Sequence, residues 1–84
     1  MNLQNEETLP LFLPDLASEK SILVRWLKKV GEQVEKGEDI AEVETDKVVF
    51  TLPSPYRGRI HSFCVDEGAE IAPGQMLARI LPDK

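Results

Sequence analysis

The chain has 84 residues and a net charge of −5, from 15 acidic and 10 basic residues, and this length predicts a single small domain. The acidic balance argues against nucleic acid and anionic membranes as partners, because both are bound by basic patches. No apolar run approaches the ~18 residues of a membrane-spanning helix, and the opening MNLQNEET lacks the basic and apolar parts of a signal peptide.

Short apolar runs and polar breaks alternate along the chain. Residues 1–8 are polar, and we expect a flexible N-terminal tail there; residues 82–84 would be a C-terminal tail or the start of a linker. Six runs of five to seven residues lie between them, mostly separated by Gly, Pro, Asp or Ser, at 9–13, 22–27, 40–44, 48–52, 59–63 and 75–81. Short strands at this spacing predict an all-β sandwich or barrel.

The segment 21–31 has a second local interpretation, a helix. Against it, Ile22, Val24 and Trp26 recur at every second position. Alternation of this kind, with β-branched and aromatic residues, is typical of a strand. We therefore predict a strand at the start of this segment.

A shift of 37 residues aligns the two halves of the chain without a gap. Eight apolar or glycine positions coincide: Leu23 with Ile60, Trp26 with Phe63, Gly31 with Gly68, Val34 with Ile71, Gly37 with Gly74, Ile40 with Leu77, Ala41 with Ala78 and Val43 with Ile80. The glycines suit turns that need positive φ, and the apolar positions suit inward-facing strand residues. The repeat predicts two similar β-modules around a quasi-two-fold axis.

The motif E-T-D-K-V, residues 44–48, separates two of the apolar runs and predicts a β-hairpin. Tight hairpins usually carry Gly at the corner, whereas Asp46 and Lys47 stand here. In the second half, the equivalent segment LARI is followed by LPDK and the chain stops. The hairpin should therefore lie at one end of the molecule, with Lys47 exposed at its tip.

Three segments, RWLKKVGEQVEKGEDIAEVETDKVV, SPYRGRI and VDEGAEIAPGQMLARI, resemble the lipoyl domains of dihydrolipoamide acyltransferases in 2-oxo acid dehydrogenase complexes. The resemblance covers about residues 11–81. Gly31, sixteen residues before Lys47, and Gly58, eleven after it, match the family pattern, with Gly58 expected to be a further structural turn. The family fold is a flattened barrel-sandwich hybrid of two four-stranded antiparallel sheets with quasi-two-fold symmetry, here expected over 9–81.

The resemblance implies that Lys47 carries lipoic acid in amide linkage. Glu44, Thr45, Asp46 and Val48 would form the motif that a lipoate ligase or lipoyl transferase recognises. The swinging arm would then serve a thiamine-diphosphate-dependent 2-oxo acid decarboxylase, the acyltransferase catalytic domain of the parent chain and the flavin-dependent dihydrolipoamide dehydrogenase. The domain itself would be a carrier and not an enzyme, located in a bacterial cytoplasm or, in a eukaryote, in the mitochondrial matrix.

Several neighbours of Lys47 have simpler interpretations beside these roles. Asp46 is a good turn former in its own right, and Glu42 can be a plain solvent-facing strand residue. Glu42 and Glu44 can also set up a negative field that speeds encounter with basic partner surfaces. Val48 and Val49 resemble the 2-oxoglutarate type of domain, and the segment ASEKS, residues 17–21, matches a family loop near the lipoyl turn that would contact the decarboxylase.

Two other functions stay open from the sequence. A biotin carrier shares the fold, but that family is similar to A-M-K-M around its lysine, where this chain has Asp46 and Val48. An unmodified binding module of the same barrel-sandwich type, as in membrane-fusion adaptors, would have a long helical insertion between its halves. Here the halves are contiguous, which favours the lipoyl carrier.

The remaining reactive residues do not form a site. His61 and Cys64 are only two ligands, and a structural zinc site needs four. Cys64, the one cysteine, has no disulfide partner, which favours a reducing compartment, and we expect a small, partly buried hydrophobe there. Trp26 and Phe63, at equivalent repeat positions, should be core or near-core residues.

Overall fold

The computed structural model describes residues 7–15 and 20–83. All regular structure in these ranges is β, in eight strands: β1 Leu9–Phe12, β2 Ser21–Trp26, β3 Gln33–Val34, β4 Asp39–Thr45, β5 Val49–Pro53, β6 Gly58–Phe63, β7 Glu70–Ile71 and β8 Met76–Pro82. The described ranges contain no helix, and hence none that is long and apolar enough to cross a membrane.

The strands form two four-stranded sheets, in the orders β1-β8-β6-β3 and β5-β4-β2-β7. Every pairing is antiparallel, which confirms the predicted all-β barrel-sandwich. The helical alternative for 21–31 is excluded, because β2 pairs with β4 on one side and with β7 on the other. The two-residue strands β3 and β7 were not among the predicted runs, since polar loop residues surround them.

The sequence repeat corresponds to a quasi-two-fold symmetry of the structure. β2, β3 and β4 correspond to β6, β7 and β8, while β1 corresponds to β5: Leu11 pairs with Ala78 as Leu52 pairs with Ala41. The short strands cross between modules, because β3 pairs with β6 and β7 pairs with β2. Neither module can therefore complete its sheet without the other.

The core consists of two buried clusters with matching positions. One contains Leu13, Leu23, Ala41, Val43, Leu52, Ile71 and Leu77, and the other contains Leu11, Val34, Ile40, Ile60, Ala78 and Ile80. Trp26 contacts both clusters, and its ring stacks on that of Phe63 with centroids 4.0 Å apart. The stacked pair joins equivalent positions of the two modules, as expected for near-core residues on the axis.

Gly31 and Gly68 occupy equivalent turns, with φ of 89° and 87°. Their amides donate to the carbonyls of Ile60 and Leu23 at 2.7 and 2.6 Å, so each turn is bonded to the opposite module. This backbone conformation is costly for residues with a Cβ. Both positions are confirmed as turns, and Gly37 and Gly74 share the conformation.

Gly58 is not a turn residue, contrary to the prediction from the family pattern. It is the first residue of β6, is buried, and pairs with Pro82 of β8. A Cβ at this position would overlap the carbonyl oxygen of Leu81 and lie 2.8 Å from the Cα of Pro82. Gly58 is needed because two backbones approach closely, and such a contact cannot be predicted from local turn signals.

Candidate functional site

The hairpin between β4 and β5 carries the E-T-D-K-V motif. β4 ends at Thr45 and β5 begins at Val49, and Glu44 pairs with Val49 across the two strands. The Thr45 amide donates to the Val48 carbonyl at 2.8 Å and closes the turn. Asp46 and Lys47 therefore stand at the tip, as predicted.

The hydroxyl group of Thr45 explains how this turn forms without glycine. Its oxygen accepts hydrogen bonds from the amides of Lys47 at 3.2 Å and Val48 at 3.1 Å, and the hydroxyl lies 3.3 Å from the Val48 carbonyl. A side-chain oxygen that bonds backbone amides two and three residues later is a recognised turn-forming device of Ser and Thr. The sequence predicted Thr45 as part of a recognition motif but missed this structural role, which the spacing of Thr from the following amides could have suggested.

Lys47 is exposed, and in the described ranges its ammonium group has no ion-pair partner. Lys28 is different: only 17% of its side chain is exposed, and its ammonium pairs with the carboxylates of Glu38 and, at 3.6 Å, Glu32. The hydrogen bond to Glu38 raises the pKa of Lys28 and lowers the pKa of Glu38. Lys28 is thus committed to a structural ion pair, whereas the Lys47 amine is free to react.

The acidic residues near the hairpin divide into two kinds. Glu42 faces Arg25 on the neighbouring strand, with Oε1 and Nε 2.7 Å apart, so its charge is compensated. Glu44 and Asp46 are exposed, and no ion pair to either occurs among the described residues. The local negative field around Lys47 therefore comes from Glu44 and Asp46.

Two exposed apolar side chains follow the lysine. Val48 is 57% exposed and Val49 is 56% exposed. Exposed valines at a strand start are not explained by core packing, because the inward positions of β5 are taken by Phe50 and Leu52. The surface beside Lys47 therefore combines two carboxylates with an apolar strip.

The segment proposed to contact a decarboxylase, 17–21, lies mostly outside the described residues. Its last residue, Ser21, is buried and pairs with Thr45 at the base of the hairpin. The C-terminal end of that segment is thus beside the candidate site. Nothing further follows for residues 17–19.

The other reactive side chains are separate from the hairpin. His61 is exposed, with Nδ1 3.2 Å from the hydroxyl of Ser62. Cys64 is exposed, so the predicted partial burial is wrong: it follows the end of β6, and its side chain stays outside both core clusters. In the parts of the chain that the structure describes, no three His, Cys, Asp or Glu side chains converge to hold a metal ion.

Comparison with known proteins identifies relatives along nearly the whole chain. The model of the biotin/lipoyl family, described as "Biotin-requiring enzyme", matches residues 13–80. A dihydrolipoyllysine-residue succinyltransferase component of the 2-oxoglutarate dehydrogenase complex from Buchnera aphidicola is 34% identical over 73 residues, which are 84% of this chain and 18% of the relative. A dihydrolipoyllysine-residue acetyltransferase component of the pyruvate dehydrogenase complex from Mycobacterium bovis is 41% identical over 84% of this chain and 13% of the relative.

A solved structure shows the same architecture. The lipoyl domain of the 2-oxoglutarate dehydrogenase complex from Azotobacter vinelandii superposes with a TM-score of 0.66 at 27% identity, over 87% of this chain and 92% of that domain. The chain therefore matches one whole solved domain but spans less than a fifth of the two curated relatives. What those relatives do as whole proteins extends beyond the region they share with it.

Proposed function

The chain belongs to the family of biotin- and lipoyl-attachment domains, and we propose that it is a lipoyl carrier domain whose Lys47 bears lipoic acid in amide linkage. The observation that carries the proposal is the exposed, unpaired lysine at a turn whose backbone is held by Thr45. A flexible stem on a fixed base is what a mobile carrier requires. When bound, the lipoyl group supplies a dithiolane that accepts acyl groups and electrons.

The residues around Lys47 contribute position and charge. Amide formation removes the positive charge of Lys47, so the charge of the Glu44, Asp46 and Lys47 group changes from −1 to −2. The modified tip then presents a stronger negative field to its partners, which favours encounter with basic surfaces. Thr45 keeps the base of the arm in place while the arm moves.

A biotin carrier is the second candidate, because the family includes both cofactors. Lipoic acid is favoured by Asp46 and Val48, which stand where biotin carriers have methionines. The named relatives are also proteins with a dihydrolipoyllysine residue. The two cofactors differ in mass, so direct measurement separates them.

We assign the parent chain to the dihydrolipoamide acyltransferases. The arm would then receive its acyl group from a thiamine-diphosphate-dependent decarboxylase, deliver it to the acyltransferase domain, and be reoxidised by dihydrolipoamide dehydrogenase. Carriage within one assembly raises the effective concentration of the acyl group to the millimolar range. We place this assembly in a bacterial cytoplasm, or in the mitochondrial matrix of a eukaryote.

The substrate we propose is 2-oxoglutarate, on the basis of Val48 and Val49. These residues are exposed beside the arm, where a decarboxylase would meet them. Incubation of the lipoylated domain with purified 2-oxoglutarate or pyruvate decarboxylase components should give faster reductive acylation by the former. Faster acylation by the pyruvate enzyme would reverse the assignment without affecting the carrier role.

Ligase assays test the carrier function itself. Wild type, Lys47→Arg and Lys36→Arg are each incubated with lipoate ligase and lipoate, or with biotin ligase and biotin, and their intact masses are measured. We expect one lipoyl group on wild type and on Lys36→Arg, a matched exposed lysine, and none on Lys47→Arg. Lipoylation of Lys47→Arg would disprove the site, and biotin incorporation without lipoyl incorporation would select the second candidate.

A further inference from the structure

The two sheets differ in the charge of their strands. The strands of the β1-β8-β6-β3 sheet contain no acidic residue and two arginines, Arg59 and Arg79, whereas the strands of the β5-β4-β2-β7 sheet contain four acidic residues and one arginine. The formal charges of the two sheets are therefore +2 and −3, in a chain whose net charge is −5. Acidic residues are thus kept off one of the two sheets.

Both arginines lie on the outer face of their sheet. Arg59 is exposed, and the next residue of β6, Ile60, is buried and pairs with Ile80. Arg79 is partly buried and stands between the buried residues Ala78 and Ile80. Because successive side chains of a strand point to opposite faces, both guanidinium groups lie on the side away from the core. We call this outer surface, centred on Arg59 and Arg79, the basic face.

The arginines of the basic face have no ion pair among the described residues. The other two arginines of the chain do have ion pairs. Arg25 pairs with Glu42, and Arg57 pairs with Glu35 and with Asp83, which follows β8. A chain with 15 acidic residues therefore leaves two guanidinium charges without a carboxylate partner, and both are on the same face.

Neutral groups hold the side chain of Arg79 in place. Its Nε donates to the hydroxyl of Thr8 at 2.6 Å, and its Nη1 donates to the sulfur of Met76 at 3.3 Å. Neither contact cancels the positive charge, but both restrict the side chain. A carboxylate that binds Arg79 therefore has less conformational freedom to remove than it would with a fully mobile arginine.

The spacing of the two arginines matches an extended acidic peptide. Arg59 pairs with Leu81, so Arg79 is the diagonal neighbour of Arg59 on the adjacent strand. Diagonal neighbours of an antiparallel pair are about 7–8 Å apart, and side chains two residues apart in an extended peptide are separated by about 6.6–6.8 Å. Carboxylates at every second position of such a peptide can therefore bond to both guanidinium groups at once.

We propose that the basic face is a docking surface for an acidic, extended segment of a partner protein. Nucleic acid is the less suitable ligand, because the strands of this sheet carry only two arginines and no lysine and the chain as a whole is acidic. Lys47 belongs to the β4–β5 hairpin of the other sheet, so a segment bound to the basic face leaves that lysine accessible. Surface ion pairs are individually weak, and we expect a Kd of about 1 mM.

Nuclear magnetic resonance can test the basic face on the unmodified, ¹⁵N-labelled domain. The probe is the acetylated and amidated peptide Glu-Ala-Glu-Ala-Glu, with Gln-Ala-Gln-Ala-Gln as its neutral counterpart. At low salt, we expect only the acidic peptide to shift the amides of Arg59, Ser62 and Arg79. In about 1 M NaCl, where the Debye length is about 3 Å, the shifts should disappear. No shifts at millimolar peptide, or equal shifts with the neutral peptide, would overturn the docking surface, and tighter binding of a hexathymidylate oligonucleotide to the same amides would overturn the assignment to protein.

Matched arginine variants separate the basic face from the net charge of the chain. Arg59→Gln, a change at an exposed position, should raise the Kd of the acidic peptide roughly threefold or more, and Arg59→Gln combined with Arg79→Gln should abolish saturable binding. The control is Arg25→Gln, which removes the same charge from the other sheet and should leave the Kd unchanged. Equal weakening by Arg25→Gln would overturn the proposal, because binding would then follow net charge alone. The titration does not require a lipoyl group, so its failure would leave the proposed carrier function intact, and failure of lipoylation would leave the basic face intact.

Discussion

The two modules present the dipeptide Asp-Lys at equivalent places, Asp46-Lys47 after β4 and Asp83-Lys84 after β8. Asp83 accepts hydrogen bonds from Gln33 at 3.1 Å and is paired with Arg57 at 3.2 Å, and its amide donates to the Arg57 carbonyl. Asp46 has no such partners among the described residues. Both acids are exposed, but the same backbone frame pairs the acid with a cation in one module and leaves it without an ion pair among the described residues in the other.

The cores of the two modules differ in polarity at one matched position, which is Leu13 in one module and Ser54 in the other. The carbonyl of Leu13 accepts a hydrogen bond from the Gly74 amide, and the carbonyl of Ser54 accepts one from the Gly37 amide. Both residues are almost fully buried. The Ser54 hydroxyl donates to the Tyr56 carbonyl at 2.6 Å, so its burial leaves no polar atom unpaired. Symmetry is therefore kept in the backbone and relaxed in the side chains, which allows one end to be specialised.

The largest effect should come from exchanging Asp46 and Lys47. The exchange moves the amine by one residue and turns its side chain to another face of the hairpin, so lipoylation at this tip should be lost. Peptide mapping after ligase treatment locates any lipoyl group. Lipoylation of Lys84 in wild type would contradict the distinction between the two modules, since it would show that the dipeptide Asp-Lys is sufficient for modification without the hairpin.

Gly58→Ser should be the most destabilising single substitution. The change gives the second module the residue that the first module has at the equivalent position, the buried Ser21. Its Cβ would meet the backbone of Leu81 and Pro82, and backbone cannot rearrange cheaply. We expect a loss of about 3 kcal/mol or more in the free energy of unfolding, measured by urea denaturation. A loss below about 1 kcal/mol would show that β8 can move away.

Gly31→Val and Gly68→Val should cost nearly the same, about 1–3 kcal/mol each. In both turns an added Cβ would have no atom within 4 Å, so the expected cost is the backbone strain at positive φ. Parallel denaturation of the two variants measures it. Costs that differ by more than about 1 kcal/mol would show that the turns are not energetically equivalent.

Thr45→Val should cost about 1 kcal/mol, because it removes the hydroxyl that accepts two amide hydrogen bonds while keeping the shape of the side chain. It should also slow lipoylation of Lys47 by loosening the turn. Thr51→Val, a change on the exposed face of β5, is the control for altered strand propensity. An unchanged lipoylation rate in Thr45→Val would show that the ligase does not depend on the turn geometry that the Thr45 hydroxyl maintains.

The smallest effect should come from Lys28→Met, and it should depend on pH. The pKa of Glu38 is lowered, so its contribution to folding stability is complete above the ordinary value of 4.5 and is lost as the pH falls through the lowered pKa. The pKa of Lys28 is raised, so its contribution to folding stability is complete below 10.5 and is lost as the pH rises through the raised pKa. The difference in thermal midpoint between wild type and Lys28→Met should therefore be widest between these values. A pH-independent difference would assign it to lost packing of the lysine stem.

The features that were predictable from the sequence are those encoded over a few neighbouring residues or repeated at a fixed spacing. Alternating apolar residues indicated β2, short apolar runs between polar breaks indicated β4 and β8, and the spaced glycines indicated the paired turns. The E-T-D-K-V motif placed Lys47 at a hairpin tip, because a polar break between two apolar strands leaves few alternatives. These signals were local or periodic, so the chain itself displays them.

Only the tertiary structure decided the features that depend on residues far apart in the chain. Gly58 is required by the backbone of β8, and Cys64 is exposed because of where β6 ends. An uncharged groove that is lined by β1 and β5, two strands encoded about 40 residues apart, likewise exists only in the folded chain. Close approach and open seams result from how the sheets pack, and packing depends on all strands at once.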